Sequence, residues 1–162
     1  MLVMGILNAT PDSFADGGEH FTYPDAVDHG LKLIAEGADI IDVGGESTRP
    51  GAERVSAAEE ERRVINVISK LVDAGKPISI DTMRASTARA AVIAGASIIN
   101  DVSGGLADAA MLDTAAELKV PYIAMHWRGH SKEMNNLAVY TNVVDEVIAE
   151  LSLRIEAALS AG

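Results

Sequence analysis

Five short apolar runs, each followed by a helical pattern, constrain the fold of this chain more than any other feature. They are predicted to be β-strands at residues 3–7, 40–43, 78–81, 97–102 and 120–125. A helix between two successive strands makes those strands parallel, and parallel strands that read as continuous apolar runs are buried on both faces. The sequence therefore predicts an α/β fold built on one parallel sheet.

Polar residues stand where these strands end, namely Asn8, Asp42, Asp81, Asn100 with Asp101, and His126. A (β/α)8 barrel takes its catalytic groups from the ends of many strands, whereas a doubly wound sheet concentrates its site at one switch point. The recurring polarity favours the barrel. Because such a barrel takes about 250 residues and the chain has 162, residues 1–162 are predicted to form a single domain of TIM-barrel type, truncated after about five β-α units.

Composition excludes several classes of function. The chain carries 13 Lys and Arg against 24 Asp and Glu, a formal charge of −11, and lacks the basic footprint that nucleic-acid binding requires. It has no cysteine, which excludes disulfides, thiol catalysis and cysteine-ligated zinc. No apolar run approaches the roughly 20 residues of a membrane span, and the N-terminus does not resemble a secretory signal. A cytoplasmic location is the expectation.

The loop at residues 42–51, Asp-Val-Gly-Gly-Glu-Ser-Thr-Arg-Pro-Gly, is rich in groups that carry chemistry. Thr48 and Arg49 are suited to hold an anion, because a guanidinium makes forked bonds to phosphate or carboxylate and a hydroxyl adds one more. The alternative is a surface loop with a solvated arginine.

Asn8, Asp81, Asn100 and Asp101 lie at equivalent strand ends and are suited to a flat heterocycle with several donors and acceptors. The alternative for each residue is that it caps a helix or closes a turn. Phe14 lies in a Gly-ended loop long enough to act as a lid, where its ring either stacks on a ligand or holds the loop in place.

Magnesium is a better expectation than zinc. The four histidines are scattered without metal-ligand spacing, which disfavours a histidine-based zinc site. Magnesium prefers oxygen ligands, keeps waters and often bridges to phosphates, and Asn8 is the candidate ligand. For His126 three roles remain open, namely acid, base or ligand. No P-loop or Rossmann glycine motif occurs.

The segments at residues 4–18, 42–51, 78–82 and 99–105 together resemble dihydropteroate synthase, the folate-pathway target of sulfonamides. The order and the spacing of these segments both agree with the family, and the resemblance covers essentially the whole chain. The residue choices in this chain, including Met-His-Trp-Arg at residues 125–128, resemble the actinobacterial branch of the family. The family joins p-aminobenzoate to a dihydropterin methyl pyrophosphate and releases pyrophosphate, with Mg²⁺.

The resemblance implies a role for each matching position. Asp81 and Asn100 would bind the pterin ring, and Asn8 would bind Mg²⁺ at the pyrophosphate. Thr48 would contact the pterin pyrophosphate. The mobile loops that form the p-aminobenzoate pocket would include Arg49, Phe14 and Pro50.

Some family elements have no counterpart in this chain. A later pterin-binding aspartate, a lysine of the seventh strand and a pyrophosphate-binding Arg-x-His would follow Gly162, as would most dimer contacts. The chain is therefore expected to be a fragment that is inactive alone, and poorly stable or oligomeric, with a homodimer expected for the full-length protein. A corrinoid-linked pterin-binding methyltransferase and a non-catalytic paralogue are the alternatives, although the loops at residues 10–14 and 46–51 favour the synthase.

Overall fold

The computed structural model describes residues 1–10, 23–49 and 51–162. The strands of this described part are β1 Met4–Asn8, β2 Ile40–Gly44, β3 Ile78–Asp81, β4 Ile98–Asp101 and β5 Tyr122–Ala124. Its helices are α1 Tyr23–Ala35, α2 Ala57–Leu71, α3 Ala85–Ile93, α4 Met111–Leu118, α5 Met134–Leu137 and α6 Val143–Ala161. A short 3-10 turn, Val72–Ala74, continues α2.

The five strands form one parallel sheet in the order β1-β2-β3-β4-β5. A doubly wound sheet reverses its strand order at a switch point, and this sheet does not reverse. Consecutive helices pack beside one another, from α1 on α2 through α4 on α6. This arrangement confirms the α/β prediction and follows the winding of five successive units of a (β/α)8 barrel.

Strand register divides apolar from polar side chains. Leu7, Val43, Ile80 and Ile99 occupy one row across four strands, and all four are fully buried against the helices. The next row holds Asn8, Gly44, Asp81 and Asn100. Because side chains alternate between the faces of a strand, this polar row faces away from the helices.

The prediction that the strands are buried on both faces is correct for the inner strands β2, β3 and β4 and wrong for the outer strands β1 and β5. The helices bury one face only, and on the other face Ile6 of β1 is 63% exposed. Ile123 of β5 is 36% exposed on the same face. The apolar runs therefore indicate strands correctly, but they do not show which faces this chain itself covers.

Helix α2 begins where the sequence predicts. The Ser56 hydroxyl accepts a hydrogen bond from the Glu59 N–H at 3.2 Å, which satisfies one free amide of the first turn. Residues 56–59, Ser-Ala-Ala-Glu, have the sequence of a capping box. Only this half of it forms among the described bonds, since the Glu59 carboxylate instead accepts from Arg62 and Arg63, each at 2.7 Å. Over the described residues, no helix combines the length and the apolarity that crossing a bilayer requires.

Candidate active site

A pocket of about 340 Å³ opens at the carboxyl ends of the strands, on the face opposite the helices. Five of the seven predicted site residues line it, namely Asn8, Thr48, Arg49, Asp81 and Asn100. The others, Phe14 and Pro50, lie outside the described residues. The pocket is completed by Ile6, Thr10, Asp42, Ser47, Val102 and Met125.

Four polar side chains of this pocket have no protein partner. Within the described residues, no hydrogen bond or ion pair is made by the Asp81 carboxylate, the Thr48 hydroxyl, the Arg49 guanidinium or the Asn8 amide. Buried polar groups are normally hydrogen-bonded within the protein, which makes the partly buried carboxylate of Asp81 unusual, whereas Asn8, Thr48 and Arg49 are exposed and meet solvent. These four groups are therefore available to a ligand.

The loop after β2 is held by different residues. Glu46 is 7% exposed, and its carboxylate accepts from Arg54, Arg84 and the Val55 N–H, each at 3.0 Å. The Arg84 guanidinium also pairs with the buried carboxylate of Glu60. Glu46 therefore ties the loop to the helix side of the sheet, and the free Thr48 and Arg49 lie on its pocket side.

Asp101 does not belong to the predicted ring-binding set. Its buried carboxylate accepts from the N–H groups of Ser103 and Gly105 and from the Tyr122 hydroxyl, each at 2.8 Å. Asp101 follows Asn100 directly, so the two side chains point to opposite faces of β4. Asp101 closes the turn after β4, as the structural alternative predicts, and it uses the Gly105 N–H in doing so.

Asp42 is a pocket residue to which sequence reasoning gave no role. The Asn100 amide Nδ2 donates to Asp42 Oδ2 at 3.0 Å, and both residues are buried. Asp42 Oδ1, Asn100 Oδ1 and the hydroxyl of Ser79, the β3 neighbour of Asp42, have no partner among the described residues. The signal for Asp42 lies in strand register, which a single sequence does not contain.

Asp81 is the most strongly perturbed group of the pocket. Burial raises its pKa from 3.8 to about 7, with further upward contributions from Asp42, Glu60, Asp101 and Glu46. Near neutral pH the carboxyl therefore exists in both forms, and it can accept from a ligand N–H or donate a proton. Gly44 leaves room for it, since a Cβ at that position would lie 3.3 Å from Asp81 Oδ2.

The residues after β5 are engaged elsewhere. His126 Nε2 lies 2.7 Å from Glu150 Oε2 on α6, and Arg128 pairs with Glu146 and Glu150 of the same helix. Neither residue lines the pocket of about 340 Å³. His126 is therefore part of a contact between β5 and α6 and is not an obvious acid or base for this pocket.

The pocket residues fit a magnesium ion held largely by water and substrate oxygens. In the described ranges there is no group of three or more histidines or acidic residues placed to hold a metal. Magnesium does not require such a group, because it keeps several waters and often takes one or two protein ligands. The exposed, unpartnered amide of Asn8 offers one suitable oxygen.

Comparison with known proteins identifies relatives over nearly the whole chain. Residues 4–162 match the family model described as pterin binding enzyme. A dihydropteroate synthase of Mycobacterium leprae is 50% identical over 161 residues, covering 99% of this chain and 57% of the relative.

Solved structures of dihydropteroate synthase from Xanthomonas albilineans have the same fold. One, with 4-aminobenzoic acid, is 51% identical with a TM-score of 0.90, covering 99% of this chain and 57% of the other. A second, in complex with 7,8-dihydropteroate, is 47% identical with a TM-score of 0.85, over 99% and 56%. The chain thus spans little more than half the length of these three relatives.

Proposed function

The chain belongs to the pterin-binding enzyme family, and on this premise we propose that the protein is a dihydropteroate synthase. Its reaction joins p-aminobenzoate to a dihydropterin methyl pyrophosphate, forms 7,8-dihydropteroate and releases pyrophosphate. The observation that carries the proposal is the pocket at the strand ends, where Asp81, Thr48, Arg49 and Asn8 are free of protein partners. Its relatives include synthase structures with 4-aminobenzoic acid and with 7,8-dihydropteroate.

We assign the pterin ring to the polar floor of the pocket. Asp81 and Asn100 are neighbours on β3 and β4 and face the same side of the sheet. A carboxylate and an amide supply acceptors and a donor to a ring that carries N–H, amino and carbonyl groups. The crowded acidic surroundings that raise the pKa of Asp81 favour a ligand that brings N–H donors to it.

We assign the charged end of the substrate to the rim. Thr48 would donate its hydroxyl to the pyrophosphate, and Arg49 would attract the carboxylate of p-aminobenzoate. Phe14 and Pro50 would belong to the same aminobenzoate pocket. Asn8 would supply one oxygen ligand to Mg²⁺, whose role is to neutralise charge on the departing pyrophosphate.

The proposed chemistry is a substitution at the pterin methylene carbon. The C–O bond to pyrophosphate breaks early, the bonding electrons leave with pyrophosphate, and the aniline nitrogen forms the new C–N bond and loses a proton. Asp81 and Asn100 hold the ring while positive charge develops on it, and Arg49 orients the amine. Preorganised groups of this kind stabilise the transition state.

Calorimetry on the protein as its gene encodes it tests the proposal. The pterin pyrophosphate should bind with Mg²⁺, and p-aminobenzoate should then be consumed with one pyrophosphate released for each dihydropteroate formed. Pterin binding without turnover would point to a non-catalytic paralogue, and absence of pterin binding would refute the assignment. For the full-length protein we also propose a cytoplasmic homodimer, as the family resemblance implies.

An Asp81→Ala variant tests the site itself. Loss of the acceptor leaves the ring N–H groups unpaired in a buried site, which costs about 1–3 kcal/mol for each group and should nearly abolish pterin binding. Asp73→Ala, at an exposed position on the 3-10 turn, is the control and should bind normally. Unchanged pterin affinity in the Asp81 variant would show that the ring lies elsewhere.

A further inference from the structure

Arg128 lies four residues after the end of β5, on the side of the sheet where an arginine often binds an anion. Its guanidinium is instead fully engaged within the protein. Nε donates to Glu150 Oε2 at 3.2 Å and Nη2 donates to Glu150 Oε1 at 2.5 Å, which makes a forked pair, and Nη2 also donates to Glu146 at 2.8 Å. Nη1 donates to the Val139 carbonyl at 2.7 Å, and the Tyr140 ring lies 3.9 Å from the guanidinium carbon.

These contacts hold the two ends of one loop together. Residues 129–142, here called the β5 loop, begin directly after Arg128 and end at the start of α6. Arg128 binds the far end of the β5 loop through the Val139 carbonyl and binds the first two turns of α6 through Glu146 and Glu150. Its hydrogen bonds also lower the pKa of both carboxylates.

The β5 loop contacts the segment that follows Thr48 and Arg49. The Gly51 N–H donates to the Ser131 carbonyl at 2.8 Å, and Lys132 pairs with Glu53 at 2.9 Å. Thr48 and Met134 line one cavity of about 170 Å³ between the two loops. The backbone bond at Gly51 is the firmer link, because the Lys132–Glu53 pair is 62% and 84% exposed and such pairs contribute little.

We propose that Arg128 is a positioning residue for the loop after β2, which carries Thr48 and Arg49, and that it acts through the β5 loop. It fixes the base of the β5 loop on α6, the β5 loop holds residues 51–53, and these fix the rim positions of Thr48 and Arg49. The assignment of Arg49 to p-aminobenzoate rests on the proposed function, whereas the mechanical link rests on the hydrogen bonds alone. A forked guanidinium is required, since a lysine ammonium cannot reproduce its planar, bidentate geometry.

Amide hydrogen exchange tests the link without reference to activity. In the protein as its gene encodes it, Arg128→Gln should speed exchange of the Gly51 N–H at least tenfold, and Arg128→Lys should do so nearly as much. Arg62→Gln, which removes an exposed pair with Glu59 on α2, is the matched control and should leave Gly51 unchanged. Wild-type protection of Gly51 in either Arg128 variant would overturn the proposal.

Steady-state kinetics then separates this proposal from the proposed function. We expect Arg128→Gln to raise KM for p-aminobenzoate on the order of tenfold, with pterin affinity unchanged. If the wild-type protein makes no dihydropteroate while Gly51 exchange responds to Arg128, the function is wrong and the link stands. If Arg128→Gln does not fold, Tyr140→Leu, which removes only the ring beside the guanidinium, should give the same local loss of protection. A uniform loss across the whole sheet would instead show a general structural role and overturn the proposal.

Discussion

Asp81 differs from the other acidic residues near the pocket in having no protein partner. Asp101, Glu46 and Glu60 are each saturated by hydrogen bonds or by arginine. Burial raises the pKa of Asp81 to about 7, with further contributions from Asp42 and these acids. A residue that the fold leaves in an unfavourable state is a strong candidate for function.

The raised pKa gives stability a specific dependence on pH. Between pH 3.8 and about 7 the folded protein binds a proton at Asp81 that the unfolded chain has lost, so the contribution of Asp81 to the free energy of unfolding falls as pH rises through this window. The full effect is on the order of 4 kcal/mol. Urea unfolding at several pH values should show this loss in the wild type and not in Asp81→Asn.

The control for that measurement is Asp73→Asn, at an exposed acidic position. Its stability should follow the wild-type pH dependence. Parallel curves for wild type and Asp81→Asn would mean that Asp81 ionises as readily in the folded protein as in the unfolded chain, and the electrostatic account would then fail.

Arg49 permits a test of substrate recognition at the rim. Arg49→Ala should raise KM for p-aminobenzoate by roughly ten- to a hundredfold, because a charge-assisted bond to the carboxylate contributes about 1.5–3 kcal/mol. Pterin affinity should change little, since the pterin ring is assigned to the floor. Arg62→Ala, on the exposed face of α2, serves as the control. Equal losses for both substrates would contradict the separation of rim and floor.

At the scale of elements, one buried ion cluster ties the loop after β2 to α2 and to the start of α3. Arg84 precedes α3 and is 16% exposed, while its partners Glu46 and Glu60 are 6% and 1% exposed. Thr82 adds a hydrogen bond to Glu60 at 2.7 Å. The cluster fixes the loop after β2 relative to the segment between β3 and α3, and its residues do not line the pocket.

Arg84→Met should destabilise the protein by about 3–5 kcal/mol, because it leaves the buried carboxylate of Glu60 without its cation, while Glu46 keeps only its pair with Arg54. Arg89→Met on α3 is the matched control. Its pair with Glu117 is 44% and 64% exposed, so the loss should stay within about 1 kcal/mol. Chemical denaturation measures both variants, and equal effects would show that burial of the Arg84 cluster has no energetic consequence.

At the scale of the whole molecule, the described chain has open edges. β1 and β5 are the two outer strands of the sheet, and the face opposite the helices exposes Ile6. Helix α6 exposes apolar side chains as well, including Ile148 at 59% and Leu153 at 57%. Unpaired strand edges beside apolar surface favour association between chains.

The 162-residue polypeptide by itself is therefore expected to associate. Sedimentation velocity should show a size that grows with concentration. Ile6→Lys should reduce this association, because it places a charge on the exposed sheet face. Ile93→Lys, at a position 79% exposed on α3, should not. A monodisperse monomer would contradict this prediction.

Local patterns predicted much of this architecture. Apolar runs separated by helical periodicity placed all five strands and five of the six described helices, with differences of a few residues at their ends. The polar loop at residues 129–142 gave no such signal for α5, since four residues are too few for a periodic pattern. The strand-end position of Asn8, Asp81 and Asn100 was predictable because parallel strands present their carboxyl ends on one edge.

The amino-acid sequence by itself determined the order of the β-α units and the edge of the sheet at which the pocket lies. It also determined the residue types that a pterin-binding site needs. Tertiary structure decided which polar residues are free. Asn100 and Asp101 read alike in sequence, yet strand alternation sends one to the pocket and the other into a closed turn. Glu46 and Thr48 share one loop, yet Arg84 on a distant segment saturates only the first. Partnership depends on contacts between segments far apart in the chain, and a single sequence does not record those contacts.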